Sequence, residues 1–502
     1  MLRPITAALA AALLLSGCND AASPGPRAGS VTERVFGKIR FRPCSLTSPQ
    51  STESVEAQCA RYAVPEDRSK PDGRKVMLNI AWLPATQEGA AQPDPVFLLA
   101  GGPGQAATEV WAPMDRAFAE VRKNRDVILV DQRGTGQSNP LTCKDEEGQP
   151  AAVADPGTRG AETVEFVKRC LARLDADPRF YTTTEAVQDL EAVRAALGAP
   201  QVNLIGVSYG TRVAQQYTAR HPDRTRTIVL DGVVPNELVV GGEFARTFDR
   251  ALGLQDARCR QDATCKARFP TELRSQLRQL KARLETAPVP VEYRDPGTGE
   301  LEQGTLTADT LTGLSHAFSY MPQLASLLPV VLDEAAQGRY APLMSLSKLT
   351  EQMMGGQMSR GMQLSVVCAE DADRYRADPA DAGTVLGPDL ATMFFSACEA
   401  WPKGRRPADF NQPLASPVPA LLMSGELDPV TPPEYGERVL KGLPNARHVV
   451  LRGQAHNVFL VGCMPKLLAR FIESADAKAL DTACLESVDF VPPFTSFNGW
   501  EP

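Results

Sequence analysis

Ser208 is the residue that its neighbours best equip to act as a nucleophile. It lies in GVSYG (206–210), a G-x-S-x-G pattern that follows an apolar strand-like run and precedes a helix-like run. That context builds a sharp turn at the top of a sheet, where the serine hydroxyl is exposed and can attack a carbonyl carbon. The pattern therefore predicts acyl-transfer chemistry, which also requires a base and a group that orients the base.

The base is found by elimination, because the chain contains only four histidines. His221 ends the helix-like run after the nucleophile and precedes a proline, which indicates a structural role. His316 lies in the helix-rich middle of the chain, and His448 begins a strand-like run. His456 lies in the loop after that strand and is the last of the four. It is therefore the predicted base, in the chain order serine, acid, histidine.

The predicted acid is Asp428, which lies in SGELDPVTP (424–432) on the loop after the preceding strand-like run. Its carboxylate would accept the ring N–H of His456 and hold the tautomer that takes the Ser208 proton. Glu426 is the rival acid, but its position nearer the strand suits a structural hydrogen bond better. We therefore assign the acid to Asp428.

The negative charge that develops on the attacked carbonyl oxygen needs backbone N–H donors. One predicted donor is Tyr209, the residue that follows the nucleophile. The other is expected in the glycine-rich loop AGGPG (100–104) after a strand-like run. Pro103 has no N–H to offer, so Gly102 is the predicted second donor.

Short apolar runs alternate with helix-like runs along the chain. Such an alternation would place Ser208, Asp428 and His456 at one edge of a sheet. The strand-like runs are 76–83, 95–100, 126–130, 202–207, 227–230, 420–424 and 448–451, and helix-like runs at 184–197 and 209–220 flank the nucleophile. Apolar strands separated by helices indicate a parallel sheet that is covered on both faces. The predicted fold class is therefore α/β, with a mostly parallel sheet flanked by helices.

The middle of the chain interrupts this alternation. Residues 236–410 are mostly helix-like, with charged stretches such as 273–284 and a polar turn at 296–299. We predict that they form a helical lid inserted between two parts of one sheet domain, 36–235 and 411–502. The lid would then border the edge of the sheet that carries the candidate catalytic residues.

The first residues have the features of an export signal. Arg3 precedes an apolar run, 5–15, that is too short to span a bilayer and ends in LSGC (15–18). This ending resembles the lipobox of bacterial lipoproteins, which implies cleavage of a signal peptide (1–17) and acylation of Cys18. The alternative is an ordinary secretory signal. Residues 18–35 are polar and rich in Pro and Gly, which is typical of a tether, so we expect a lipid-anchored protein of the periplasm or cell envelope.

The cysteines agree with export, since ten of the eleven remain after Cys18 is set aside. They fall in near neighbours, and we hypothesise neighbour-to-neighbour disulfides, Cys44/Cys59, Cys143/Cys170, Cys259/Cys265, Cys368/Cys398 and Cys463/Cys484. No cysteine or histidine spacing is typical of zinc, and neither a metal nor an organic cofactor is predicted. The net charge of −7 argues against a nucleic-acid partner.

Several further motifs give the chain a family resemblance. DQRGTGQS (131–138), AGGPG, GVSYG, LDGV (230–233) and GELDPVTPPEYG (425–436) resemble the signatures of prolyl-aminopeptidase-like serine peptidases, in particular the tripeptidyl-aminopeptidase branch, within the α/β-hydrolase superfamily. The similarity covers roughly residues 40–490. It implies an α/β-hydrolase fold with a lid, and it gives Arg133 the role of bracing loops around the site.

What the resemblance implies for activity is an exopeptidase that releases residues or short peptides from a free N-terminus. Such an enzyme needs a lid carboxylate for the α-ammonium group of its substrate. Glu370, in CAEDAD (368–373), is our first candidate for that role, and Glu243 and Glu399 are alternatives. A solvated acidic turn explains the same cluster equally well.

Two other functions remain open from the sequence. An esterase or lipase would use the same three residues on ester substrates, because fold and triad do not determine the substrate. A catalytically idle lipoprotein that binds peptides is the third possibility, against which the intact set of Ser208, Asp428 and His456 argues.

Overall fold

The strands are organised in one large sheet and one hairpin. This computed structural model describes residues 32–48, 51–87, 89–143, 161–354 and 358–498, so the predicted signal peptide and Cys18 lie outside the described residues. The strands are β1 (Arg34–Phe36), β2 (Ile39–Ser48), β3 (Ser51–Pro65), β4 (Lys75–Leu83), β5 (Val96–Leu99), β6 (Val127–Val130), β7 (Val202–Val207), β8 (Thr225–Asp231), β9 (Val289–Arg294), β10 (Leu301–Leu306), β11 (Ala420–Gly425) and β12 (Ala446–Leu451). The large sheet has the order β1-β2-β3-β4-β6-β5-β7-β8-β11-β12, and β9 pairs with β10.

The helices connect these strands and cover them. They are α1 (Ala107–Val110), α2 (Ala161–Arg173), α3 (Thr183–Leu197), α4 (Tyr209–Arg220), α5 (Phe244–Gln261), α6 (Ala263–Arg268), α7 (Leu273–Thr286), α8 (Ala308–Phe318), α9 (Pro322–Ala325), α10 (Leu328–Ala336), α11 (Ala341–Met354), α12 (Arg360–Glu370), α13 (Asp389–Ser396), α14 (Pro433–Leu440) and α15 (Met464–Ser474). Two apolar clusters, which include residues from alternate positions of the same strands, fill the two faces of the sheet.

The half of the sheet that carries the candidate site is parallel. Strands β6, β5, β7, β8, β11 and β12 pair in parallel, and β5, β6 and β7 are buried along their whole length. Short strands buried on both faces are what their uninterrupted apolar sequences predict. The predicted α/β class, a mostly parallel sheet flanked by helices, is confirmed.

The other half of the sheet differs from the sequence prediction. Strands β1 to β4 are antiparallel, and β1, β2 and β3 were not predicted at all. Residues of β2 alternate between buried Ile39 and Phe41 and exposed Arg40 and Arg42. A strand with one face open to solvent has only half the apolar signal of a strand buried on both faces, which explains the omission.

A long insertion separates two neighbouring strands. Strand β8 ends at Asp231 and its partner β11 begins at Ala420, and helices α5 to α13 lie between them in sequence. These helices have an apolar cluster of their own, which includes Phe248, Leu277 and Leu332. The hairpin β9–β10 also belongs to this stretch. It flanks the polar turn at 296–299, in a region for which the sequence predicted mainly helix. The predicted lid limits, 236 and 410, fall within residues 232–419.

All five hypothesised disulfides are present. They join Cys44 to Cys59, Cys143 to Cys170, Cys259 to Cys265, Cys368 to Cys398 and Cys463 to Cys484. Loop closure of this kind stabilises a fold by about 2–4 kcal/mol per bridge. A set of structural disulfides is characteristic of proteins exported from the reducing cytosol. No helix in the described ranges combines the length and the apolar composition needed to cross a bilayer.

Candidate active site

Ser208 occupies a strained turn between β7 and α4. Its backbone has φ 55° and ψ −124°, a region that a non-glycine residue adopts only when its surroundings enforce it. The Ser208 N–H donates to the carbonyl oxygen of Asp231 at 2.8 Å, and the Ser208 carbonyl accepts the Thr211 N–H at 2.9 Å. The strand on one side and the helix on the other therefore hold the serine in the sharp turn that its motif predicted.

Two glycines make this turn sterically possible. A Cβ on Gly206 would overlap the carbonyl of Gly210, and a Cβ on Gly210 would overlap the carbonyl oxygen of Leu99 in β5. Any larger residue at either position would push α4 away from the sheet. The G-x-S-x-G spacing thus reflects close packing of strand, turn and helix around Ser208.

Asp428 and His456 are brought together by the loops that follow β11 and β12. His456 Nδ1 lies 2.7 Å from Asp428 Oδ2, and the side chain of Asp428 is fully buried. The other carboxylate oxygen accepts the backbone N–H groups of Val430 and Thr431 at 2.9 and 2.7 Å. These bonds fix the carboxylate so that it orients the imidazole ring.

Thr431 adds a contact that the sequence reasoning missed. Its hydroxyl donates to Asp428 Oδ2 at 2.8 Å and lies 3.1 Å from His456 Nδ1. The only sequence signal for it was its place three residues after the acid in DPVTP. The hydroxyl therefore contacts both the carboxylate oxygen and the ring nitrogen of the pair.

The charges of the pair reinforce each other. Burial alone would lower the pKa of His456, but the Asp428 carboxylate beside it raises that pKa above its ordinary value of 6.5. Burial likewise would raise the pKa of Asp428, yet His456 and the backbone N–H donors hold it below its usual range. An imidazolium at His456 would therefore be stabilised by the Asp428 carboxylate.

Asp231 fixes the loop that carries the base. Its carboxylate accepts the backbone N–H groups of Val458 and Phe459 at distances of 2.8 to 3.0 Å. Burial raises the pKa of Asp231 to about 6 in spite of these bonds. The His456 N–H donates to the carbonyl of Tyr320 at 3.1 Å, and the two rings pack edge to face. Both anchors were missed, although LDGV was noted as a motif.

Gly232 joins the region of the serine to that of the histidine. It follows Asp231 with φ 67°, and a Cβ built there would lie 3.0 Å from His456 Cε1 and 3.1 Å from Thr431 Oγ1. The Asp231 carbonyl accepts the Ser208 N–H. The Ser208 turn and the His456 ring therefore both contact the segment formed by Asp231 and Gly232. The positive φ and the tight contact both favour glycine at this position.

The predicted oxyanion donors flank the same turn. A Cβ on Gly101 would lie 3.1 Å from Ser208 Cβ, so the glycine-rich loop passes directly over the nucleophile. Gly102 has φ 110°, and a Cβ there would lie 2.6 Å from the Gly104 nitrogen. Tyr209 is the first residue of α4, and a first-turn N–H has no carbonyl partner within its own helix. Tyr209 thus adjoins Ser208 in the chain, and Gly102 follows the glycine that approaches Ser208; the role of both as oxyanion donors stays a prediction.

The side chain of Tyr209 extends into a buried polar network. Its hydroxyl lies 2.5 Å from Thr183 Oγ1 and accepts from Gln132 Nε2 at 3.1 Å. Thr183 in turn donates from its N–H and its hydroxyl to Glu370, at 2.7 and 2.9 Å. This chain of bonds ties the residue after the nucleophile to helix α12 of the insertion.

Glu370 is enclosed in this network. It is fully buried, lies 3.9 Å from Arg212, and burial raises its pKa to about 8. Of the alternatives, Glu243 is half-buried and accepts the Tyr435 hydroxyl at 2.5 Å, whereas Glu399 is exposed. The expected contact between Glu370 and a substrate ammonium group stays a prediction.

Arg133 has the bracing geometry that the resemblance implied. Its guanidinium is fully buried and binds the Asp189 carboxylate through two bonds of 2.6 and 2.7 Å. It also donates to the carbonyls of Glu66 and Phe180. All of its neighbours are structural, and it holds the loop after β6 against α3.

A second set of serine, histidine and carboxylate lies away from this site. His448 contacts Ser424 Oγ at 3.0 Å through Nε2 and Glu437 Oε1 at 2.5 Å through Nδ1. Ser424 lies within β11 and is fully buried, so no substrate carbonyl can reach it. These contacts hold α14 against the sheet, and Glu426, the rival acid, is likewise structural because it accepts the Gly453 N–H at 2.8 Å.

Two family models match the chain. One, described as alpha/beta hydrolase fold, covers residues 94–287, and another, described as TAP-like protein, covers residues 383–484. The first includes the nucleophile turn, and the second includes both the acid loop and the His456 loop.

Known proteins with similar sequences include two named peptidases. The chain is 26% identical to serine protease Hip1 of Mycobacterium tuberculosis, over 93% of this chain and 95% of the relative. It is 33% identical to tripeptidyl aminopeptidase of Streptomyces lividans over 35% of each chain. Among solved structures, a proline iminopeptidase of Mycobacterium smegmatis matches with a TM-score of 0.43 and 18% identity, over 83% of this chain and 99% of the other.

Proposed function

We propose that this chain, which belongs to the α/β-hydrolase superfamily and is a serine hydrolase related to tripeptidyl aminopeptidases, is an exopeptidase that acts on free N-termini. The observation that carries the proposal is the hydrogen bond of 2.7 Å between His456 Nδ1 and Asp428 Oδ2, beside a serine held at φ 55°. A buried acid, an oriented base and a partly buried serine on a strained turn are the parts of a covalent acyl-transfer site.

In the proposed mechanism Ser208 attacks the carbonyl carbon of the scissile bond while His456 takes its proton. The N–H groups of Tyr209 and Gly102 stabilise the tetrahedral oxyanion. His456 then returns the proton to the leaving amine, which departs and leaves an acyl-enzyme on Ser208. Water activated by the same histidine attacks the ester carbonyl and releases the acyl product, which regenerates the Ser208 hydroxyl.

The substrate class rests on the relatives. Serine protease Hip1 spans nearly the whole chain in the alignment, and tripeptidyl aminopeptidase matches over a shorter stretch. Both names describe peptide-bond cleavage, and the second describes release from an N-terminus. We therefore propose a peptide substrate with a free α-ammonium group, which a carboxylate of the insertion receives. Glu243 is half-buried, whereas Glu370, the first candidate from the sequence, is fully buried and bonded to Thr183, so that it can bind the ammonium group only if this network opens.

The test compares a short chromogenic peptide with its N-acetylated twin, with Ser208→Ala as the control for contaminating activity. We expect cleavage of the free peptide, little cleavage of the acetylated one, and covalent labelling of Ser208 by a fluorophosphonate. Equal cleavage of both peptides would overturn the N-terminal specificity. Activity on simple esters alone would favour an esterase, and absence of labelling on folded protein would favour a peptide-binding lipoprotein.

We further propose that the mature protein is anchored by lipid at Cys18. The proposal rests on the LSGC ending of the apolar N-terminal run and agrees with the five disulfides. Cys18→Ser should move the protein from the membrane fraction to the soluble fraction of the cell envelope. An unchanged distribution would support an ordinary secretory signal.

A further inference from the structure

A segment of the insertion packs directly on the loop that carries the predicted oxyanion donor. The Ser359 N–H donates to the Gly104 carbonyl at 2.9 Å, and the Gly361 N–H donates to the Leu141 carbonyl at 2.8 Å. Met358 Sδ lies 3.0 Å from the position of a Cβ on Gly102. The first turn of α12 is therefore fixed beside the nucleophile, since Gly101 is in contact with Ser208.

Arg360, the first residue of α12, has no counter-ion among the residues that the structure describes. It is half-buried, and no carboxylate of the described residues lies within salt-bridge distance of it; its side-chain partner is Gln363 Oε1 at 2.9 Å. Burial lowers the pKa of Arg360. The fully buried arginines Arg133 and Arg212, by contrast, are paired with Asp189 and Asp371.

Ser359 precedes Arg360 at the position where a serine normally caps a helix. Its hydroxyl makes no capping bond to α12. The residue is only 7% exposed, and its Oγ has no hydrogen-bond partner among the described residues. A buried hydroxyl without a partner is costly. Ser359 directly precedes Arg360 in the chain, and each of the two side chains has hydrogen-bonding capacity left over among the described residues.

The N-terminal end of α12 also favours a negatively charged group. The N-terminal end of an α-helix carries a partial positive charge, so a cation is unfavourable there and an anion is favourable. Arg360 adds a full positive charge at the first position of an eleven-residue helix. Within the described residues, the Arg360 guanidinium lacks a counter-ion and the Ser359 hydroxyl lacks an acceptor, and both groups favour an anion with oxygen acceptors. The Ser359 and Gly361 N–H groups already donate to carbonyls, so the helix adds only its partial positive charge.

We infer that Ser359, Arg360 and the N-terminus of α12 form a subsite for a carboxylate of the peptide substrate. The inference rests on the proposed function, because the subsite borders the Gly101–Gly104 loop over Ser208. A carboxylate suits it, since a guanidinium donates two parallel N–H bonds to the two oxygens and the serine hydroxyl donates a third. The carboxylate is either the C-terminus of a short peptide or the side chain of an acidic residue.

The experiment measures kcat/KM for peptides of one sequence that differ only in negative charge. The set has a free C-terminal carboxylate, a C-terminal amide, and an amide with one Glu in place of Gln at each position in turn. Arg360→Met and Ser359→Ala are compared with Arg376→Met, which removes an exposed charge elsewhere in the insertion. Melting temperature and hydrolysis of a neutral ester report on folding and on the triad.

We expect the wild-type protein to prefer one carboxylate-bearing peptide by about tenfold or more, mainly through KM. Arg360→Met should reduce that ratio to near one, Ser359→Ala should reduce it partly, and Arg376→Met should leave it unchanged. Preference for the C-terminal carboxylate would identify an oligopeptide C-terminus, and preference for Glu would identify an acidic side chain.

An equal rate for all peptides in the wild-type protein, or an unchanged preference in Arg360→Met, overturns the subsite while the neutral peptide still reports peptidase activity. If no peptide is cleaved, the proposed function fails by itself. Inhibition of ester hydrolysis by the same peptides then decides the subsite, since only a carboxylate-bearing peptide should inhibit, and only when Arg360 is present.

Discussion

The Asp231 carboxylate and the Val458 N–H are joined by contacts of 3.0 and 2.8 Å, one to each carboxylate oxygen. Val458 lies two residues after the candidate base His456, and the carbonyl of the same Asp231 accepts the N–H of Ser208. One residue at the end of β8 therefore holds both the nucleophile turn and the histidine loop. Its placement explains why a residue outside the triad is expected to control the rate.

Asp231→Asn should lower kcat by about ten- to a hundredfold, the size of effect that a small displacement of a catalytic loop produces. The cause is that the amide has one acceptor oxygen, whereas the Val458 and Phe459 N–H groups now bind the two oxygens of the carboxylate. Steady-state kinetics on the free peptide measure the change, and the melting temperature controls for folding. A folded variant with unchanged kcat would show that the His456 loop does not depend on Asp231.

The pH profile should report the His456–Asp428 pair. Only the neutral imidazole accepts the Ser208 proton, and the pKa of His456 is raised, so kcat/KM should fall with decreasing pH through a midpoint above 6.5. Asp428→Asn removes the carboxylate that raises this pKa. It should move the midpoint to lower pH and reduce kcat by about 10³- to 10⁴-fold. A wild-type midpoint at or below 6.5 would contradict the pairing.

Thr431→Val removes the hydroxyl of Thr431 and keeps the shape of its side chain, so it distinguishes the hydrogen bond from packing. Loss of the 2.8 Å bond to Asp428 Oδ2 leaves the carboxylate less fixed, and we expect kcat to fall by about tenfold while KM stays near its wild-type value. Thr431→Ser keeps the hydroxyl and is the matched control. Equal losses in both variants would assign the effect to packing.

Arg133→Met should destabilise the fold, because it removes the bidentate partner of the buried Asp189 and leaves Arg68 to pair with that carboxylate. Removal of one member of a buried ion pair typically costs about 3–5 kcal/mol, and we expect a smaller loss here because Arg68 stays. Denaturant unfolding measures the loss, and Asp189→Leu added to Arg133→Met should recover part of it. A variant of normal stability and reduced kcat would instead give Arg133 a role at the reacting atoms.

Glu370→Gln and Glu243→Gln should distinguish the two carboxylates considered for the substrate ammonium group. Substitution of the carboxylate that binds the ammonium group should raise KM for the free peptide by about tenfold or more. The same substitution should leave KM for the acetylated peptide unchanged. We expect the other to change both peptides alike. Equal effects of both substitutions on both peptides would exclude a direct ammonium contact by either residue.

Local sequence pattern predicts where the candidate residues lie in the fold, while their catalytic roles stay predictions. Ser208 sits in a turn that two glycines make possible, and the loops with Asp428 and His456 follow parallel strands whose apolar runs are plain in the sequence. Cysteine spacing likewise predicted the five disulfides. For the three candidate residues the information lies within a few residues of the position concerned, whereas the paired cysteines are 6 to 30 residues apart but consecutive among the cysteines.

The remaining parts depend on contacts between distant segments, which no local pattern encodes. Asp231 reaches Val458, Tyr320 reaches His456, and Ser359 reaches Gly104, across separations that only the fold closes. The burial of Glu370 belongs to the same class, because Thr183 and Arg212 come from other helices. Strands β1 to β3 were missed for a different reason, since their exposed faces dilute the apolar signal.

The disulfide connectivity has a consequence for how the chain matures. Each bridge joins cysteines that are consecutive in the sequence once Cys18 is set aside. A chain that crosses a membrane from its N-terminus can thus complete each pair before the next pair emerges. In such an order an oxidant would be enough to form the native bridges, without a slow reshuffling step by a disulfide isomerase.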